Sequence, residues 1–258
     1  MTFEFDSAKY AAASTHQKEW GARLVAELKL KGHERILDLG CGEGAITAEL
    51  SRLVPRGLVL GIDASEDMIA AARKRTAPNL RFELLDINTM EPDGQFDLVF
   101  SNATLHWVKD HRRLLQCTLR LLSPSGVARF NFAGEGNCAA FLRIVRQVMA
   151  RREFAPAFRS FTWPWYMPSV DEYRALASEL PFRSARVWGE IADRFFADAD
   201  AITRWIDQPS LVPFLAHLDE EARQPFRDAV VERMLRATGQ ADGRHFETFR
   251  RINLLATK

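Results

Sequence analysis

Three short apolar runs in this 258-residue chain each close on an acid: Ile36-Leu37-Asp38, Leu58 to Asp63 and Leu80 to Asp86. The first leads into Gly40-Cys41-Gly42-Glu43-Gly44. Glycines alternating in this way let a backbone turn tightly and approach a ligand where a Cβ would collide, and the helix after them presents unpaired N–H groups to the same space. Asp63 lies 19 positions beyond Gly44, at the carboxyl end of the second strand, where a carboxylate can accept hydrogen bonds from both hydroxyls of a ribose. With Ser65 it also suits the cap of the following helix. Asp86 and the backbone of Ile87 suit the edge of an adenine ring, and Met68 can cover a ring face or fill the core. With Ala45 in place of a further glycine, the loop spacing alone also admits a nicotinamide dinucleotide.

A second constellation follows the fourth apolar run: Ser101-Asn102-Ala103-Thr104-Leu105-His106-Trp107-Val108. Asn102 falls beside the nucleotide position. Gln17, His106 and Trp107 can donate N–H groups that hold an acceptor oxygen; His106 suits a general base for a phenol or amine, or a purely loop-shaping role. Arg143, Arg146 and Arg244 are candidates for neutralising a carboxylate, although the basic stretch 143–159 also reads as a solvated helix face. Trp163, Trp165 and Tyr166 belong to an aromatic segment broken by Pro156, Pro164 and Pro168, which fits either a pocket wall or a satellite core. Tyr10 and Gln17, at or before the first helix, can fold over a ligand or stay on the surface. Cys41 reads as a passenger between two necessary glycines.

The elements that must position these residues follow from periodicity. Trp20, Leu24 and Leu28 recur one turn apart and predict a helix over 17–28. Strands are expected at 35–39, 58–63, 80–86, 96–100 and 127–132, with helices at 44–53, 66–75 and from 109 or 110 to 122, a regular βα series. Beyond it come a helix at 139–152, a sixth strand at 183–189, helices at 198–206, 211–218 and 219–238, and a closing strand at 246–255. Thirty-five Lys and Arg against 34 Asp and Glu leave a formal charge of +1, so no bulk field favours nucleic acid or an anionic membrane. Three scattered cysteines fit neither a disulfide framework nor a zinc cluster, no metal site is expected, and no membrane span or signal peptide is seen. The expected location is the cytoplasm, and the expected partner is a small molecule.

Taken together, Asp38-Leu39-Gly40-Cys41-Gly42-Glu43-Gly44, Gly61-Ile62-Asp63-Ala64-Ser65-Glu66-Asp67-Met68-Ile69 and Asp86-Ile87 resemble the class I S-adenosylmethionine-dependent methyltransferases. The resemblance displaces the nicotinamide reading. It implies an α/β fold with a Rossmann-like seven-stranded mixed sheet and a helical lid inserted near the C-terminus. The chain would divide into a cofactor-binding core at 1–136 carrying an N-terminal lid helix, a helical and aromatic substrate side at 137–245 that includes strand six, and a closing core strand at 246–258. By the same likeness S-adenosylmethionine would lie against Gly40, Cys41, Gly42, Asp63, Ala64, Met68, Asp86, Ile87 and Asn102. Tyr10, Gln17, the segment 102–111, the helix near 201–206 and Asp242-Gly243 further resemble trans-aconitate 2-methyltransferases and related small-carboxylate methyltransferases. That family has Gln where this chain has His106, and the aromatic 158–166 segment also departs from it. The likeness implies methyl transfer to a small molecule, with carboxyl O-methylation to a methyl ester preferred over N-, C- or phenolic O-methylation. A protein or RNA methyltransferase is disfavoured by the charge balance and by Ser101-Asn102-Ala103-Thr104, where an Asn/Asp-Pro-Pro-Tyr/Phe motif would stand.

Overall fold

The apolar runs become strands in a computed structural model, which describes residues 15–91 and 94–258; Tyr10 lies outside the described residues. α1 (Thr15–Ala26) leads to β1 (Arg35–Leu39), α2 (Ala45–Leu53), β2 (Leu58–Asp63), α3 (Glu66–Ala72), β3 (Leu80–Leu84) and β4 (Phe96–Asn102). A 3-10 turn (Leu105–Trp107), α4 (His111–Leu121) and β5 (Leu122–Ala133) complete the βα series. α5 (Ala139–Met149) and α6 (Val170–Ser178) precede β6 (Ser184–Ile191) and β7 (Arg194–Phe196). α7 (Ala199–Trp205), a π turn (Ile206–Ser210), α8 (Val212–Leu215) and α9 (Glu220–Thr238) lead to β8 (His245–Glu247) and β9 (Arg250–Thr257).

The main sheet has seven strands in the order β3-β2-β1-β4-β5-β9-β6. β3, β2, β1, β4 and β5 run parallel, while β9 is antiparallel to both β5 and β6. The chain winds outward from β1 in one direction and then starts again at β4. Connections therefore leave the carboxyl ends of β1 and β4 toward opposite sides and open a crevice there. Side chains alternate across the sheet with period two. Ile36, Val59, Leu98 and Phe100 join Leu24, Leu50 and Ile69 on one face, whereas Leu37, Leu39 and Ile62 join Leu114, Leu115 and Phe130 on the other. A separate cluster, with Phe141, Val145, Phe154, Trp205, Phe214 and Phe226, knits the C-terminal helices into a lid. Trp20 belongs to that cluster and Leu24 to the sheet cluster, so the apolar face of α1 joins lid to sheet.

Three expectations change in detail. The closing segment is not one strand: β8 pairs with β7 in a separate two-stranded sheet, and only β9 enters the main one. Asp193, accepting from the Phe249 N–H at 2.9 Å, helps hold the break between them. Strand five starts earlier than 127, because Leu122 already pairs with Phe96; pairing then jumps to Leu98 with Val127, and 123–126 form a bulge. α6 was not expected, although Ser169 and Glu172 carry its full capping box.

Candidate active site

The glycine loop behaves differently at each of its three positions, all of which have positive φ. A Cβ on Gly40 would fall 2.0 Å from the Thr104 side chain, and one on Gly44 would fall 2.7 Å from Phe82. These two glycines let the loop pack against its own protein. Only at Gly42 would a Cβ meet nothing within 4 Å. Gly42 lines a cavity of about 630 Å³ at the carboxyl ends of β1, β2 and β4.

Each strand-end acid is fixed in place. Asp63 accepts from the Gly42 N–H at 2.9 Å and the Ser65 N–H at 3.0 Å, tying the ends of β1 and β2 together. Ser65, and not Asp63, caps α3, its hydroxyl accepting from the Met68 N–H. Asp86 accepts from the backbone and side-chain nitrogens of Asn88, both through Oδ1. Asp38 is buried and accepts from the Thr47 hydroxyl at 2.7 Å. Burial, opposed by that bond and helped by the nearby Asp63 charge, pushes its carboxyl up to about 7. Burial and the same two acids push the Cys41 thiol up as well, so Cys41 is no nucleophile.

The loop after β4 supplies the opposite wall. Ala103 sits at φ 59°, a conformation uncommon for a residue with a side chain, and its N–H donates to Asn131 O at 2.7 Å. The Thr104 hydroxyl donates to Gly40 O at 3.0 Å, and the Asn102 amide donates to Gln17 O at 2.8 Å, which seats α1 on the crevice. His111 braces the turn from behind: its Nε2 meets Leu105 O at 2.9 Å and its Nδ1 meets the Tyr173 hydroxyl at 3.1 Å. The Lys109 ammonium donates to the carbonyls of Trp163 and Trp165, and the Tyr166 N–H donates to His106 O at 2.8 Å. These bonds bind the aromatic segment to the loop.

Behind that wall lies a second cavity of about 60 Å³. It shares Gln17, Ala103 and Trp107 with the first and is also lined by His106, Asn137, Trp165 and Arg251. Among the described residues, Gln17 Oε1, Asn102 Oδ1, His106 Nδ1 and Trp165 Nε1 are buried in this region and have no hydrogen-bond partner. Such atoms are rare in a finished protein interior and point to a ligand or water. Burial, with added repulsion from Arg251 and His111, pulls the His106 imidazole down to about 3, so it is neutral near pH 7.

Of the residues expected to bind cofactor, Gly40, Cys41, Gly42, Asp63, Ala64, Met68, Asp86, Ile87 and Asn102 all line the large cavity. Gln17 and Trp107 line both cavities, Trp163 the large one, and His106 and Trp165 the small one. Arg143, Arg146, Tyr166 and Arg244 line neither. Arg146 lies over the Trp163 ring at 4.5 Å, Tyr166 packs on His111 at 4.7 Å, and Arg244 pairs with Asp242 beside Phe195. Asp38, Thr104, Lys109, His217 and Arg251 are cavity residues to which the sequence assigned no binding role. Asp38 carried the same strand-end signal as Asp63. Arg251, inside a C-terminal strand, carried none.

The comparisons agree with this geometry. Residues 36–126 match the family model described as a methyltransferase domain. With the sheet order and the full-length relatives below, the chain belongs to the class I S-adenosylmethionine-dependent methyltransferases; it is an enzyme that binds S-adenosylmethionine. Within that class it is related, at moderate identity, to the trans-aconitate 2-methyltransferases. It is 32% identical to the one from Methylobacterium radiotolerans, over 99% of this chain and 98% of the relative. It is 31% identical to the one from Variovorax paradoxus, over the same shares. Among solved structures, the YcgJ protein of Bacillus subtilis superposes with a TM-score of 0.61 at 17% identity, covering 93% of this chain and 98% of that one. Phosphoethanolamine N-methyltransferase 2 of Haemonchus contortus, solved with S-adenosyl-L-methionine, gives 0.61 at 18%, covering 98% of this chain and 56% of that one. These two likenesses show the fold.

The large cavity fits this cofactor on its own evidence. Its volume lies in the range of small-molecule sites, its wall at Gly42 is open backbone, and it is lined by Asp38, Asp63 and Asp86, acceptors of the kind that an ammonium and ribose hydroxyls require. Among the described residues, no cluster of His, Cys, Asp and Glu is placed to hold a metal, and no helix is long and apolar enough to cross a membrane.

Proposed function

We propose that the enzyme methylates a carboxylate oxygen of a small acid, giving a methyl ester. In this reading Gly40, Cys41 and Gly42 offer backbone to the amino-acid end of the cofactor, Asp63 with Ala64 takes the ribose, Asp86 with Ile87 takes the adenine edge, and Met68 packs on the ring. Asn102 lies between nucleotide and acceptor, beside Gln17. The chain then divides into the cofactor core at 1–136, the substrate side at 137–245 and a closing core segment at 246–258 that carries β9.

Bound S-adenosylmethionine supplies a methyl group on a cationic sulfur. The protein must place an oxygen in line with that bond and exclude water, and such positioning is worth on the order of 7–11 kcal/mol in favourable cases. Gln17 and Trp107, on the wall between the cavities, and His106 behind it are the groups that hold the acceptor. The carrying observation is that His106, with its imidazole held near 3, is too weak a base to deprotonate a phenol or an ammonium. A carboxylate needs no base, being ionised already at neutral pH. The curated relatives are trans-aconitate 2-methyltransferases, which supports a carboxylate acceptor.

The test is transfer of a labelled methyl from the cofactor to a panel of trans-aconitate, other small acids, amines and phenols. The expected product forms on an acid and loses its label in mild alkali; an alkali-stable product would reject ester formation. His217, on the cavity wall, is the base that an amine or phenol acceptor would use. On the carboxylate reading, His217→Asn keeps kcat within a few-fold, whereas loss of transfer would favour the other reading.

A further inference from the structure

Part of the large cavity's wall is aromatic: Trp107, Trp163 and Pro164 line it. Trp165 packs edge-on against both tryptophans, its ring centre 5.4 Å from Trp107 and 5.8 Å from Trp163. Phe214 and Phe161 meet Trp163 at 5.6 and 5.8 Å, and the Arg146 guanidinium lies over its ring at 4.5 Å. The Lys109 ammonium holds the carbonyls of Trp163 and Trp165. These rings are fixed from behind before a ligand arrives, and a fixed aromatic wall takes up a flat apolar group with little ordering of its own.

The charge around the cavity points the same way. Asp38, Glu43, Asp63 and Asp86 line it, against two lysines and, among the described residues, no arginine. Lys18 is paired with Glu43 at 3.2 Å, and Lys109 is bonded to the two carbonyls. Arg251 lines the inner cavity and not this one, and gives its Nε and one terminal nitrogen to the Asn131 side-chain oxygen at 2.8 and 2.6 Å. A tricarboxylate would bring several negative charges to a wall that already carries four acids, and buried charges without partners are costly.

We propose that the acceptor is an acid with one carboxylate on a flat aromatic body. The body lies against Trp107, Trp163 and Pro164, and the carboxylate faces Gln17 at the wall that Trp107 shares with the inner cavity. The inference rests on the carboxylate reading above and adds to it the body that the acid carries. Trans-aconitate, which has no ring, enters the same site more weakly, and Trp163 determines the preference.

The test is calorimetric titration of protein saturated with S-adenosylhomocysteine. The probes are trans-cinnamate and indole-3-acetate, each with its own amide as the uncharged control, and trans-aconitate as the ringless comparison. The tighter of the two aromatic acids is expected to bind at least about tenfold more tightly than trans-aconitate and than its own amide. Trp163→Leu should weaken that acid by about tenfold and trans-aconitate hardly at all, with affinity for S-adenosylhomocysteine unchanged, and Trp163→Phe should recover part of the loss. Should Trp163→Leu fail to fold, the wild-type preference over trans-aconitate and the partial loss in Trp163→Phe decide. Trans-aconitate binding as tightly as both aromatic acids, no binding by either of them, or a Trp163→Leu protein that loses affinity for S-adenosylhomocysteine instead would overturn the seat. If an amide binds as tightly as its acid and Trp163→Leu weakens both, the aromatic seat stands and the carboxylate reading falls.

Discussion

Asp63 and Asp38 are neighbours with opposite economies. Asp63 accepts from the Gly42 and Ser65 N–H groups, which fix its carboxylate at the end of β2 beside the open backbone of Gly42. Asp63→Ala is therefore expected to remove most of the affinity for S-adenosylmethionine; an unchanged dissociation constant by calorimetry would contradict the ribose assignment. Asp38 is buried with one hydroxyl donor and titrates near 7 instead of near 4. Between those values the folded chain holds a proton that the unfolded chain has released. Without a ligand, this residue's contribution to stability falls as pH rises from about 4 to 7, by about 1.4 kcal/mol per unit. Asp38→Asn, able to keep a bond to Thr47, should then raise the melting temperature of the free protein at pH 8. The same change should weaken binding of the cationic cofactor. Lower melting temperature and unchanged binding would show that Asp38 is merely structural.

The glycine loop was legible as a loop but not in its reasons. All three glycines seemed to clear space for a ligand, yet two clear space for Thr104 and Phe82, which sit 64 and 38 residues further along the chain. Spacing shows that a Cβ is unwelcome; only three dimensions show what it would strike. Gly40→Ala should accordingly destabilise the fold by about 2 kcal/mol or more, combining a positive φ with a 2.0 Å clash. Gly42→Ala should cost only about 1 kcal/mol, from φ alone, while impairing cofactor binding. Urea denaturation of the two variants checks the difference, and equal losses would contradict the division of roles. The βα elements were readable because each combines period, cap and turn residues within a few positions. The β7–β8 pair was not, because three-residue strands carry too little pattern to distinguish them from loop.

Across the whole molecule, the sheet order and the crevice at the strand ends were readable since their parts recur locally: an apolar run, an acid, a turn. The inner cavity was not. It is assembled from α1, the loop after β4, the aromatic segment and β9, and Arg251 is set among strand residues with no motif around it. The same assembly buries two histidines. Burial pulls His106 to about 3 and His111 to about 4, against an unfolded value near 6.5. Below about pH 6.5 the unfolded chain takes up protons that the folded one refuses, so their contribution is complete above that pH and is lost as pH falls toward 4. Asp38 offsets one of the two over this range, leaving a net fall of up to about 1.4 kcal/mol per unit. Denaturant titrations at pH 7 and pH 5 should show it, and Asp38→Asn should steepen it; a stability that rises on acidification would contradict the burial of both rings. The central claim, a cofactor cavity backed by an acceptor cavity, is tested most directly by a crystal structure with S-adenosylhomocysteine and trans-aconitate bound. We expect sulfur in the large cavity between Gly42 and Asn102, and one carboxylate oxygen in line with the position of the lost methyl. An acceptor whose carboxylates all point away from sulfur would contradict the account.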